Sequence, residues 1–326
     1  MQDVTNLAFW RVIARYGGPD ILWTEYFRVH GNSRPEDWIV QSITENPTGL
    51  PVIAQMIGND VAALVRTAKT LQQYPIAAID LNLGCPAPIV YRKCAGGGLL
   101  RDLEKIDAIL GGLRQAVTIP FTVKTRVGFD SPEVFDSLLS LFARHAIDLV
   151  TVHGRTVVQM YRPGVRYDLI AHAARSLPCP VLANGNVYSA LQALDVIKQT
   201  AAQGLMIGRG AIRNPWIFDQ IRQCASAEPV GLPTGRDVLQ YIRELWDSQT
   251  IAGSREQSQV QRLKKFMNFI GEGIPPAERF LFEIRRVQTR DDFFKVCETY
   301  LDHNDPMPLD PAECERDQNA PAAQCA

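Results

Sequence analysis

The chain has 326 residues, 46% of them hydrophobic and 21% charged, a balance that excludes a fibrous or wholly disordered chain and allows a large buried core. Lys and Arg number 34 against 35 Asp and Glu, so the whole-chain field draws in neither nucleic acid nor anionic membrane, and any basic site must be local. The seven cysteines are odd in number, scattered and without a C-x-x-C pair, which argues against a disulfide framework or a zinc site and for reduced thiols in the cytoplasm; no run of about 18 apolar residues marks a membrane span and no basic-then-apolar leader marks secretion.

The chain opens on an amphipathic segment, 6–16, that reads as a helix with no strand before it. Short apolar, β-rich runs then alternate with segments of helical period, the pattern of a parallel sheet covered by helices. Seven strands are predicted, at 21–26, 51–57, 78–83, 121–126, 149–153, 181–184 and 204–207. Helices are predicted between them at 60–73, 102–116, 132–145, 167–176, 189–199 and 210–224. In the first of these, Val61, Leu64, Val65, Ala68 and Leu71 keep helical spacing and Asp60 can cap. A closed (β/α)8 TIM barrel has eight strands, so the fold class is α/β, a barrel lacking its first strand over residues 1–228. Residues 229–235, PVGLPTG, read as a turn-rich linker. Over 236–303, Tyr241, Leu245, Phe266, Phe269, Ile270, Phe293 and Phe294 recur at helical spacings, predicting a small C-terminal helical bundle. The segment 304–326, rich in Pro, acidic and small residues, reads as a flexible tail.

Working residues of a parallel barrel lie at the carboxyl ends of its strands. There this chain carries Thr24-Glu25, Gln55, Asn82-Leu83-Gly84-Cys85-Pro86, Lys124 and Arg126, His153-Gly154-Arg155-Thr156, Asn184-Gly185-Asn186 and Gly208-Arg209-Gly210. Amides converging with one Lys and one His suit a polar, planar, hydrogen-bonding ligand. The two glycine-bearing turns after the last strands, with Arg209, suit a phosphate. Lys124, inside an apolar strand, calls for a ligand partner, because an unpaired buried ammonium is costly. His153 taken alone reads equally as a rim histidine without a ligand, Gly96-Gly97-Gly98 as a flexible turn, and Cys85 as a small buried hydrophobe. Cys94 and the remaining cysteines read as structural.

The run Leu81-Asn82-Leu83-Gly84-Cys85-Pro86, followed by Val90 and Ala95-Gly96-Gly97-Gly98-Leu99-Leu100, resembles the signature of the bacterial-type tRNA-dihydrouridine synthases. Gln55-Met56-Ile57-Gly58, Val123-Lys124-Thr125-Arg126, His153-Gly154-Arg155-Thr156, Asn184-Gly185-Asn186 and Gly208-Arg209-Gly210-Ala211 match it in order. The resemblance is close over about residues 1–225 and rests beyond that on helical character. It implies an FMN-binding barrel and a helical tRNA-binding domain, NADPH as reductant, a uridine of tRNA as substrate and no metal. In the chemistry it implies, hydride from reduced flavin adds at uracil C6 and Cys85 gives the proton to C5, a task suited to a thiol of ordinary pKa, about 8.5. It places Lys124 and Gln55 at the flavin pyrimidine ring, and His153, Asn184, Gly185, Asn186, Gly208 and Arg209 on the remaining flavin and phosphate contacts. Asn82 would meet the uracil edge, and the base would have to be flipped out of the RNA. The clusters Arg262, Lys264, Lys265 and Arg285, Arg286, Arg290 are balanced by nearby acids and read equally as solvated helix faces; the tRNA expectation comes from the resemblance.

The family begins with a strand ending in an Ala-Pro-Met-like turn whose backbone touches the flavin, and of that turn this chain has only Met1. Two expectations follow: the physiological protein carries roughly 10 to 20 further residues forming that strand, and a chain starting at Met1 holds FMN weakly or not at all. Two other functions stay open on the residues alone, an FMN barrel acting on a free pyrimidine or enone, and a catalytically impaired RNA-binding homologue.

Overall fold

The computed structural model describes residue 2 and residues 4–309. One parallel sheet runs through it: β1 (Leu22–Trp23), β2 (Phe27–Val29), β3 (Val52–Gly58), β4 (Ala78–Leu83), β5 (Phe121–Arg126), β6 (Leu149–His153), β7 (Val181–Asn184) and β8 (Gly204–Met206). A parallel sheet under helices is buried on both faces, so its strands are near-continuous apolar runs; every residue of β3 and β4 is buried. The order is β1-β3-β4-β5-β6-β7-β8, with β2 also paired to β3. Among the described residues β1 and β8 are the two ends of this curved path and do not pair with each other, the arrangement of a barrel without its first strand.

The strand expected over 21–26 is split. Trp23 pairs with Ile53 and Phe27 with Met56, so one extra residue sits on the first side, as in a bulge. The side chains of the intervening residues take over the pairing: Thr24 Oγ1 accepts the Gln55 N–H at 3.0 Å, and Glu25 Oε1 accepts the Val4 N–H at 3.1 Å.

The connecting helices run over Val61–Leu71, Leu103–Ala116, Phe135–Arg144, Tyr167–Ser176 and Ala190–Thr200. Asp60, Asp102 and Ser189 cap three of them by accepting backbone N–H groups of the first turn. The single helix expected over 210–224 is two, Arg209–Arg213 and Ile217–Ala225. Pro215 lacks the N–H a continuous helix needs and holds Asn214 extended. Asp37–Thr44 and the short Pro88–Tyr91 are further helices that the sequence reading missed.

Four helices form the bundle: Gly235–Gln249, Glu256–Ile270, Ala277–Ile284 and Arg290–Leu301. Thr234 and Asp237 make a reciprocal capping box, so the helix begins inside the expected linker. Tyr241, Leu245, Phe266, Ile270 and Phe293 are fully buried, with Phe269 and Phe294 packed against them. The first helix, Leu7–Ile13, docks here: Asn6 and Gln249 exchange two amide hydrogen bonds, and the Phe9 and Phe266 rings lie 6.0 Å apart. Arg213, fully buried, donates to the Phe269 carbonyl at 3.1 Å and pairs with Glu272, which ties the last barrel turn to the bundle.

Composition suggested a flexible tail from residue 304, but the chain stays packed to residue 309. Pro306 bridges to Thr234, the Met307 N–H donates to the Pro233 carbonyl at 2.7 Å, and Met307 and Leu309 are buried. Two large apolar side chains find a groove that average composition could not register. Residues 310–326 and Met1 lie outside the described residues.

Candidate active site at the rim of the barrel

Residues in register on neighbouring strands point to the same face of a sheet, and so do residues two apart along a strand. Gln55, Asp80 and Thr122 share one register row. Asn82, Lys124 and Thr151 share the next, and Arg126, His153 and Asn184 a third. The expected residues Gln55, Asn82, Lys124, His153 and Asn184 are thus brought onto one face in three adjacent layers, although up to 129 positions separate them in the chain.

The lowest layer and Asn82 above it form a hydrogen-bond relay. Thr122 Oγ1 donates to Asp80 Oδ1 at 2.5 Å, and Gln55 Nε2 donates to Asp80 Oδ2 at 2.7 Å. Asn82 Nδ2 donates to Gln55 Oε1 at 2.8 Å, and Asn82 Oδ1 accepts the Gly84 N–H at 3.0 Å. All these side chains are buried. Each amide keeps one N–H beyond the relay, available to a ligand.

The upper layers are cationic. Burial and the neighbouring Arg126 charge pull Lys124 down to about 8, against the opposing charge of Asp80. Burial lowers Arg126 to about 10. His153 falls well below its usual value, first through burial and then through Arg126, Lys124, Arg155 and Arg209 around it; it is therefore a neutral imidazole that can donate or accept without adding charge. Burial raises Asp80, against the opposing hydrogen bonds of Thr122 and Gln55 and the charge of Lys124.

Cys85, a free and partly buried thiol, follows β4 directly. Its carbonyl accepts the Gly97 N–H at 3.2 Å. Gly96–Arg101 is a 3-10 turn whose glycines are buried, so the expected flexible turn is a packed one. A Cβ on Gly97 would lie 2.5 Å from Val157 Cγ2 and 2.8 Å from the Cys85 oxygen, which only glycine avoids. Arg126 secures the same loop from the other side: Nε donates to the Gly84 carbonyl at 3.0 Å, and Nη1 to the Thr156 and Met160 carbonyls at 2.7 and 2.8 Å. Tyr26, raised above its usual range by burial and then by Cys85 beside it, closes the surroundings of the thiol.

At the last two strands, Gly185 (φ 132°) and Asn186 (φ 47°) turn in the left-handed region, and Arg209 Nη2 donates to Asn186 Oδ1 at 3.3 Å. Asn184 Nδ2 donates to the Met206 carbonyl at 2.7 Å. Gly208 precedes the helix that Arg209 opens. Arg126 and Arg209 lie over the Tyr161 ring at 5.7 and 4.9 Å, and Tyr161 is half exposed.

Thr151 Oγ1 and His153 Nδ1 are buried on this face with no hydrogen-bond partner among the described residues. Orphaned buried polar atoms are uncommon and call for a partner. With the spare amide N–H groups of Gln55 and Asn82 and the amine of Lys124, they form a donor and acceptor set that fits the polar edge of a planar heterocycle such as a flavin. Asp80, Thr122, Thr151, Tyr26 and Tyr161 were absent from the expected site. The alternations Asp80-x-Asn82 and Thr122-x-Lys124 held a signal, since period two places each pair on one face. Among the described residues no group of three or more His, Cys, Asp or Glu could hold a metal ion, and no helix is long and apolar enough to cross a membrane.

The family model described as dihydrouridine synthase matches residues 1–304. A tRNA-dihydrouridine(16) synthase of Shewanella oneidensis is 28% identical over 312 residues, 93% of this chain and 97% of that protein. A tRNA-dihydrouridine synthase B of Pseudomonas aeruginosa is 32% identical over 246 residues, 74% of this chain and 73% of that one. Among solved structures, histamine dehydrogenase from Rhizobium sp. 4-9 superposes with a TM-score of 0.52 at 12% identity, over 74% of this chain. This chain spans 47% of that enzyme, and the likeness shows the barrel fold alone. The family match continues past the barrel through the whole helical bundle, which a shared barrel by itself would not produce: this chain belongs to the dihydrouridine synthase family, oxidoreductases that reduce uridine in tRNA.

Proposed function

We propose that this chain reduces the C5=C6 bond of a tRNA uridine with FMN as its cofactor, NADPH as the reductant and Cys85 as the proton donor. The observation that carries this reading is the meeting of Cys85 and Lys124. Cys85 directly follows β4, whose Asn82 is in register with Lys124 on β5, and both lie on the rim of the orphaned His153 Nδ1.

Lys124 and Gln55 would hold the pyrimidine ring of the flavin. His153, Asn184, Gly185, Asn186, Gly208 and Arg209 would take its remaining polar edge and its phosphate. A bound flavin supplies the hydride for uracil C6. The chain's own residues do the rest. Asn82 offers its spare N–H to the uracil edge. The Cys85 thiol delivers a proton to C5, where negative charge collects as the conjugated carbonyl takes up the electron pair. Lys124 and Arg126 add positive potential for that charge in a buried, low-dielectric setting. A stacked base cannot reach the floor of this rim, so the uridine must swing out of the RNA, and the helical bundle would take the RNA on either side. Such an enzyme works where tRNA is found, in the cytoplasm.

The test compares bulk tRNA with free uridine and uracil as oxidants of the reduced protein. Consumption of reductant on tRNA, with the product nucleoside heavier by two hydrogens, supports the reading. Equal rates on free uracil would replace it with a small-molecule pyrimidine reductase.

A further inference from the structure

Asp80 is the fully buried carboxylate at the origin of the relay, and the reaction above does not use it. A carboxyl oxygen that carries no proton only accepts hydrogen bonds. The oxygen facing Gln55 therefore obliges that side chain to present its NH2 group, which leaves Gln55 Oε1 to accept from Asn82 Nδ2. Asn82 must in turn show its oxygen to the Gly84 N–H, one residue before Cys85. The Gly84 N–H, which can only donate, polarises the relay from one end, and Asp80 completes it from the other; without Asp80 the Gln55 NH2 group is left buried with no acceptor. The negative charge also acts on Lys124 in the layer above.

We propose that Asp80 is a positioning residue: it is the terminal acceptor of the Thr122–Asp80–Gln55–Asn82–Gly84 relay, and by holding Gln55 and Asn82 in place it fixes the amide groups offered to cofactor and base and the seating of the loop that bears Cys85. The effect on turnover rests on the proposed function; the relay itself is independent of substrate.

The design of the test follows from the acceptor role. Asp80→Asn keeps an oxygen for Gln55 and can turn its NH2 toward the Thr122 hydroxyl, which has the Ile79 carbonyl within 3.5 Å as an alternative acceptor. Asp80→Leu keeps the shape and removes the acceptor. The purified chain, supplied with FMN, is treated with iodoacetamide, and the alkylation rates of Cys85 and Cys94 are read from their peptides by mass spectrometry. Cys94 is exposed on the same loop and takes no part in the relay, so it is the internal reference. The Cys85 to Cys94 rate ratio should rise about tenfold in Asp80→Leu, the scale expected when a buried hydrogen bond loses its acceptor, and stay near wild type in Asp80→Asn. Uridine reduction in tRNA should fall in Asp80→Leu through kcat and return in Asp80→Asn.

An unchanged ratio in a folded Asp80→Leu protein overturns the proposal, and so does a ratio that rises equally in both variants. Should Asp80→Leu fail to fold, Thr122→Val in an Asp80→Asn background tests the same carboxylate position, and no change of ratio there overturns it too. If the ratio responds as expected while the wild-type protein leaves tRNA uridine untouched, the relay stands and the substrate reading falls.

Discussion

Asn82 on β4 sits in register with Lys124 on β5, so the amide that anchors the Cys85 loop and the amine drawn down to about 8 lie side by side in one layer. Sequence distance between them is 42 residues; the parallel ladder removes it. The consequences reach both chemistry and stability.

Cys85→Ala should separate the two halves of the reaction. Flavin reduction by NADPH should keep its rate, while uridine reduction should drop by about 100-fold to 1,000-fold, the share usual for a lost general acid. Anaerobic stopped-flow absorbance follows each half in turn. Loss of both together would make the thiol a structural group.

Lys124 gives a pH signature in flavin-free protein. Its folded value of about 8 lies below the ordinary 10.5, so between these values the unfolded chain holds more protons than the folded one, and stability rises with pH across the window. Below about 8 both states are protonated and the full cost of burying the ammonium is felt. Lys124→Met should therefore be more stable than wild type at neutral pH and lose that advantage as pH climbs toward 10.5. Urea midpoints at the two ends of the window check it; a constant difference would refute the depressed amine.

Gly97→Ala should unseat the Cys85 loop. The new methyl meets Val157 Cγ2 at 2.5 Å and the Cys85 oxygen at 2.8 Å, an overpacking that costs about 1–3 kcal/mol. Adding Val157→Ala relieves only the side-chain clash, because the backbone oxygen cannot retreat. Thermal stability should recover in part in the double variant while uridine reduction stays low, a divergence that melting curves and turnover assays on the same samples will show.

Arg213→Met should weaken the joint between barrel and bundle. It removes the buried partner of the partly exposed Glu272 and the hydrogen bond to the Phe269 carbonyl, a loss of about 1–3 kcal/mol from the buried carbonyl left without its donor. The melting temperature should fall, and the affinity for tRNA should fall more than the affinity for FMN. Equal losses would place Arg213 in the general core.

The sequence by itself determined where the strands lie, because buried parallel strands must be apolar runs and those runs are local facts: the expected 78–83, 121–126, 149–153 and 181–184 coincide with β4 to β7. It also carried the Asn-Leu-Gly-Cys-Pro motif after β4, and Pro215, which broke a helix that periodicity alone would have drawn through it. Tertiary structure decided what each polar group is for. Asp80 could have been a solvated carboxylate; it is the hub of a relay only because β3 and β5 deliver Gln55 and Thr122 beside it from positions 25 residues before and 42 after. The bulge after Trp23 and the burial of Met307 and Leu309 were equally hidden. Register, hydrogen-bond partners and burial are relations between distant segments, and no window along one chain contains both members of such a pair.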